Sequence, residues 1–130
     1  MSHQFALRPR FYELDPYNHV NHTSYLQYFE AARVEALAEV GLGLDVMQRR
    51  GFQIVLIELT ARFFEPAALH EDLIVSTTVA EIGRASSIWS QEIRRGDDRI
   101  ATLDLRAAFT NLDGRPTRPP PDFAELLGSI

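Results

Sequence analysis

A single long helical pattern, apolar on most of its sides, interrupts a chain that otherwise reads as strand. Tyr25, Phe29, Ala32, Ala36 and Val40 recur at helical spacing. Leu26, Tyr28 and Leu37 widen that stripe well beyond one narrow face. Such a helix has to be wrapped by its surroundings. Gly41 and Gly43 supply its stop signal. Asn21 or Thr23 can cap its start by accepting a hydrogen bond from an orphan backbone N–H.

The wrapping has to come from strands. Gln4 to Glu13 reads as the first, with Phe5, Leu7 and Phe11 on one parity and Arg8, Arg10 and Tyr12 on the other. Pro9 cannot donate to a ladder, so this strand belongs at an edge or carries a bulge. After the helix come Phe52 to Glu65, Leu73 to Ile82, Ser86 to Arg94 and Arg99 to Leu112, all strand-like. Gly83-Arg84 and Arg95 to Asp98 are short enough for hairpin turns, and Asp113-Gly114 turns the chain again. A proline-rich run, Arg115 to Pro121, leads into a short helix over Pro121 to Leu127. Consecutive strands with short loops pair antiparallel, which leaves one helix to cover one sheet face. The expected class is α+β: a five-stranded antiparallel sheet around one long helix, in a single domain over residues 1–130. Little chain remains to cover the other face, which predicts a homodimer or homotetramer.

Composition removes several chemistries. There is no cysteine, so disulfides, thiolate metal sites and cysteine nucleophiles are excluded. All 13 basic residues are arginine, which removes lysine Schiff bases. The formal charge of −5 argues against a nucleic-acid partner, because phosphate binding needs a basic face. Met1 to Arg10 carries no apolar signal region, and no apolar run approaches the ~18 residues of a membrane span. A cytoplasmic protein with no membrane partner is expected.

The densest polar cluster is Asp15-Pro16-Tyr17-Asn18-His19-Val20-Asn21-His22, between the first strand and the helix. The first N–H groups of a helix are unpaired and carry partial positive charge, so they can hold an oxyanion forming on a carbonyl. A carboxylate nearby can attack that carbonyl or activate a water. Each residue also has a plainer reading. Asp15 before Pro16 is a turn starter, Asn18 tolerates a left-handed backbone, Asn21 is a helix cap, and His19 and His22 are hydrogen-bonded turn residues. Tyr25, Tyr28 and Phe29 read as core, although a ring near the helix start could line an acyl pocket. Asp15, His19 and His22 have metal-ligand donor types, but no further ligand cluster accompanies them, so no metal is expected.

These residues carry a resemblance. Arg10-Phe-Tyr-Glu-Leu-Asp15-Pro-Tyr-Asn-His-Val-Asn21, followed by Tyr25-Leu-Gln-Tyr-Phe-Glu30-Ala-Ala-Arg33, resembles the 4-hydroxybenzoyl-CoA thioesterase-like branch of the hotdog family. That branch shares the Asp-x-x-x-His-Val-Asn loop and the Tyr-x-x-x-Phe-Glu helix start. Phe63 to Pro66 and Asp113-Gly114 fit its layout as well. The resemblance implies a hotdog fold, hydrolysis of an acyl-coenzyme A or acyl-carrier-protein thioester without a cofactor, and two protomers that join their sheets with active sites at the interface. It implies Asp15 as the catalytic carboxylate, with the polarising backbone N–H near His22. His19 and Asn21 would line the site. Arg84, with Ser86 and Ser87 assisting, would face coenzyme A phosphates. Asn18 and His70 stand where many relatives have glycine, which affects the loop's details and one turn. Two other readings remain on this fold: hydration or dehydration of an enoyl or hydroxyacyl thioester with His19 as base, and acyl-thioester binding without catalysis.

Overall fold

The computed structural model describes residues 2–130. Strand β1 (His3–Leu7) is followed by a 3-10 turn over Phe11–Glu13 and by helix α1 (His22–Glu39). A short helix α2 (Leu44–Arg50) precedes strands β2 (Phe52–Phe63), β3 (Leu73–Ile82), β4 (Ser86–Arg95) and β5 (Asp98–Asn111), and helix α3 (Pro121–Leu127) closes the chain. The strands form one antiparallel five-stranded sheet in the order β1-β3-β4-β5-β2. This is the α+β architecture expected from the sequence.

Helix α1 lies against one sheet face. Phe29, Ala32 and Ala36 are fully buried on it, above Val75 of β3, Trp89 and Ile93 of β4, and Leu103, Leu105 and Phe109 of β5. The helix is also pinned by a polar contact at its middle. The Gln91 side chain of β4 donates to the Phe29 carbonyl and to Thr77 Oγ1, both at 2.9 Å, and accepts from Arg33 at 2.8 Å. Burial pulls the Arg33 guanidinium below its ordinary pKa, and Glu30 opposes that shift. A buried amide that satisfies two acceptors and one guanidinium fixes the helix's register on the sheet, because leaving any partner unpaired is costly.

Three expectations need correction. The first strand ends at Leu7, not Glu13. Pro9 breaks the ladder, the chain tightens into the 3-10 turn, and Phe11 leaves the core it was expected to join, ending 76% exposed. Residues 44–50, unassigned by the sequence pattern, form α2. Its last turn meets α3 through a two-pronged contact of Arg50 with Asp122 at 3.0 and 2.9 Å.

The third correction concerns the outer sheet face. It needs little of the cover that the sequence argument assumed, because its central paired rows are polar, while Ile74 and Ile88 interrupt the flanking ones. Arg62, Thr102, Glu92 and Ser76 run across it in register, as do Thr60, Asp104, Ser90 and Thr78. Glu92 takes both Arg94 and Arg99, and Glu58 lies 3.6 Å from Arg106. The uncovered apolar surface lies on edge strand β2 instead. No residue of β2 is buried, and Val55, Leu56, Ile57, Leu59 and Phe63 are all at least 40% exposed.

Removing a side chain from under the helix leaves a cavity that the rigid sheet cannot close. Phe29→Ala is expected to cost about 3–5 kcal/mol in urea unfolding. Tyr17→Ala, at a ring that is 79% exposed, is expected to change stability by less than about 0.5 kcal/mol. Equal effects at the two positions would contradict this assignment of the core.

Candidate functional site

The loop between the 3-10 turn and α1 is held as a closed unit. Leu14 and Val20 bridge its ends, the Asp15 N–H donates to the His19 carbonyl at 2.7 Å, and the Asn18 N–H donates to the Asp15 carbonyl at 3.1 Å. Asn18 takes φ +64°, a left-handed value that asparagine tolerates better than most residues. Asp15 Oδ1 accepts the N–H groups of Tyr17 at 2.9 Å and His19 at 3.2 Å. The aspartate is thus a turn former through one oxygen. Oδ2 has no hydrogen-bond partner among the described residues.

Two further contacts dock this loop on the body. The Val20 N–H donates to the Ala67 carbonyl at 2.8 Å, and the Ala67 N–H donates to the Tyr25 hydroxyl at 2.9 Å. Asn21 donates its N–H to the Glu13 carbonyl at 2.8 Å, and the Tyr28 hydroxyl donates to Glu13 Oε1 at 2.8 Å. Burial pushes both tyrosine hydroxyls up in pKa. For Tyr28 the bond to Glu13 adds to that, so both rings act as neutral hydrogen-bonding struts.

The helix start is almost fully used. Asn21 Oδ1 accepts the Thr23 N–H at 2.8 Å, so Asn21, not Thr23, is the cap. The N–H groups of Ser24 and Tyr25 go to the Asn21 carbonyl at 2.9 and 3.4 Å. Among the described residues only the His22 N–H of that first turn has no partner. One amide with the partial positive charge of the helix end behind it therefore stays available.

Asp15, His19, Val20, His22 and Tyr25 line one wall of a hollow of about 410 Å³. Phe63, Phe64, Glu65 and Pro66 line the other. The sequence reading did not assign this second wall to the site. Its signals were Pro66, which ends a β-rich run, and the fit of Phe63 to Pro66 to the family's layout, neither of which placed it beside Asp15. Glu65 is held at 3.1 Å by Arg95, which also reaches the Pro66 carbonyl and both Glu71 oxygens. Among the described residues no three histidine, aspartate or glutamate side chains form a metal-binding group.

Within one chain Arg84 and Ser86 do not join this hollow. Phe63 pairs with Ala101, and Ala101 with Ile93, at one end of the sheet. Arg84 in the β3–β4 turn and Ser86 at the start of β4 lie at the other end, where Ser86 pairs with Ala108 and Ser87 with Ala107. The six residue steps from Ser87 to Ile93 span about 20 Å of strand. Ser87 is buried and accepts from the Trp89 indole N–H at 2.8 Å.

Residues 9–127 match the model of the thioesterase-like superfamily. The chain is 27% identical over 128 residues to the chloroplastic acyl-acyl carrier protein thioesterase ATL2 of Arabidopsis thaliana, covering 97% of this chain and 68% of that protein. It is 27% identical over 110 residues to the long-chain acyl-CoA thioesterase FadM of Escherichia coli, covering 85% and 83%. Among solved structures, a hypothetical protein of Thermus thermophilus superposes with a TM-score of 0.90 at 28% identity, over 98% of each chain. With this architecture and this match along nearly its whole length, the chain belongs to the thioesterase-like superfamily, in its hotdog fold, and is a thioester hydrolase.

Proposed function

We infer that the chain hydrolyses an acyl thioester carried on coenzyme A or on a carrier protein, with Asp15 as the catalytic carboxylate and the His22 N–H as oxyanion donor. The observation that carries this reading is the pairing, in one hollow, of a half-buried carboxylate with an unpartnered oxygen and the one unpartnered amide of a buried helix. A thioester carbonyl placed between them develops its negative charge toward the amide. Asp15 Oδ2 takes the proton of an attacking water, or itself adds to the carbonyl carbon. The carbon–sulfur bond then breaks. On the water route the sulfur leaves as thiol with the proton that Asp15 took up, and the acid is released. On the covalent route the thiolate is protonated by solvent, and a water then hydrolyses the acyl–Asp15 anhydride to free the acid and restore the carboxylate. His19 and Tyr25 shape the hollow's wall, and Asn21 acts by capping the helix whose first amide does the work.

The working unit in this reading is a homodimer joined through β2. That strand is an edge with unpaired backbone groups and half-exposed apolar side chains, a combination that isolated chains rarely tolerate. Phe63, the last residue of β2, lines the hollow, so a second copy on this edge would help to cover it. Arg84 and Ser86 would enter a site only across such an interface.

Asp15→Asn is a clean test, because asparagine retains the oxygen that accepts from Tyr17 and His19. Turnover of short, medium, long and aromatic acyl-CoAs, followed with a thiol-detecting reagent, is expected to fall ~100-fold or more with the melting temperature unchanged. Near-normal rates would remove Asp15 from the chemistry. For assembly, sedimentation should give a two-chain mass that Ile57→Arg reduces to one chain. A monomeric parent protein, or a variant that keeps the dimer mass, would place the interface elsewhere.

A further inference from the structure

The segment that escapes β1 builds a second hollow, distinct from the one that holds Asp15. Arg8, Arg10, Phe11, Tyr12, Leu69 and His70 line an open cleft of about 670 Å³. Its composition is unusual for this chain. The protein carries a net charge of −5, yet the side chains lining this cleft include two arginines, a histidine and no carboxylate. Arg8 is tied at 2.6 Å to Asp72 just outside the lining, while Arg10 has no ion pair among the described residues. Phe11 and Tyr12 are 76% and 64% exposed, and they meet edge to face with centroids 5.4 Å apart. Nothing in the fold uses these rings.

His70 adds an independent observation. It sits at φ +67°, in the left-handed region, with its side chain on the cleft. Glycine would occupy that position without strain, so the backbone there gains nothing from an imidazole.

The cleft is also next to the site. Tyr12 lies three residues from Asp15, and Leu69 three from Pro66, so each pair of Cα atoms is at most about 11 Å apart. Both hollows are walled by the same two segments, one preceding α1 and the other following β2. Arg95 holds the second of these through the Pro66 carbonyl, Glu65 and Glu71. The cleft is therefore preformed beside the place where the thioester reacts.

Resting on the reading of Asp15 as the hydrolytic site, we propose that this cleft binds the phosphorylated adenosine end of coenzyme A, which makes acyl-coenzyme A, and not an acyl-carrier protein, the donor. The adenine stacks on Phe11 and Tyr12, and the phosphates meet Arg10 and His70, with Arg8 at the margin. Aromatic faces and guanidinium groups are the chemistry that recognises a base and its phosphates. A cleft of several hundred cubic ångströms suits a nucleotide, whereas a carrier protein docks over a broad surface.

The test compares an acyl-coenzyme A with the same acyl group on pantetheine, which lacks the nucleotide. The parent protein is expected to favour the coenzyme A thioester in kcat/KM by about tenfold or more. Arg10→Ala and Phe11→Ala should each lower that preference by roughly tenfold, the size of one charge-assisted hydrogen bond or one stacked base. His70→Gly should lower it too, while the melting temperature stays level or rises because the strained backbone relaxes. That split separates ligand contact from a structural role. An equal preference in parent and variants overturns the proposal. So does loss of the preference in Arg84→Ala alone, a change of oligomeric mass in the variants, or an effect confined to an acyl-carrier-protein substrate. If neither thioester is cleaved, the hydrolytic reading fails separately, and calorimetric titration with coenzyme A alone still decides the cleft. Weaker binding in the three variants supports it, and unchanged binding overturns it.

Discussion

Helix α1 buries one broad side, Tyr25, Tyr28, Phe29, Ala32, Ala36 and Leu37, against the sheet and leaves Gln27, Glu30, Ala31, Glu35 and Ala38 to solvent. The wrapping expected from its sequence is therefore only partial, and the rest of the structure depends on that one packed side. Long strands with local irregularities supply the surface for that side. Both β2·β5 and β3·β4 carry a register shift, between Leu56 and Glu58 and between Val79 and Glu81, and such irregularities increase local twist. The Gln91 contacts then fix where along its axis the helix sits. Once the helix is fixed, its first turn must emerge at the end of the sheet where β2 finishes at Phe63. The loop before the helix and the segment after β2 are brought together there, and the Val20–Ala67–Tyr25 contacts join them. The site follows from burying the helix.

The same loop shows how one residue can close a turn and still leave a carboxylate oxygen without a hydrogen-bond partner among the described residues. The two readings of Asp15 open at the level of sequence were a turn starter and a catalytic acid. The geometry leaves room for both, because the carboxylate has two oxygens. One closes the turn against Tyr17 and His19, and that orients the other. A flexible glutamate would lose this: its longer side chain does not form the tight turn onto the following amides. Asn21 has a similar economy. By capping Thr23 with its side chain and taking Ser24 and Tyr25 on its carbonyl, it leaves one amide over at His22.

The parts legible in the sequence were those with local signatures. The helix stripe, the four consecutive strands, the terminal helix at Pro121 and the polar loop with its cap each depend on neighbours within a few residues. The hidden parts depend on distant contacts. Phe11 keeps the parity of Phe5 and Leu7, so pattern alone carried the strand through it, whereas Pro9 ended the ladder. Helix α2 is short and bounded by Gly43 and Gly51, too brief for periodicity to declare itself. The polarity of the outer sheet face became visible only once register set Arg62, Thr102, Glu92 and Ser76 in one row. The second wall of the hollow, Phe63 to Pro66, is separated from Asp15 by nearly fifty residues, and nothing in its composition announces the partnership.

The exposed apolar groups are not scattered, and their placement bears on how the hollow works. Phe63 and Phe64 stand on one side of it, continuous with the uncovered length of β2. Phe11 and Tyr12 stand in the neighbouring cleft. A single chain thus leaves the Asp15 hollow wet, with its carboxylate and its free amide both partly solvated. Charge stabilisation by a fixed amide strengthens as water leaves. The chain's own folding supplies only part of that exclusion, since Val20 and Tyr25 are buried at the hollow while Phe63 and Phe64 stay half exposed. A second copy along β2 would remove water from one side and a bound ligand from the other. In the dimer proposed above, the hollow would become a low-dielectric site only with both in place, which would couple catalysis there to assembly and to ligand occupancy.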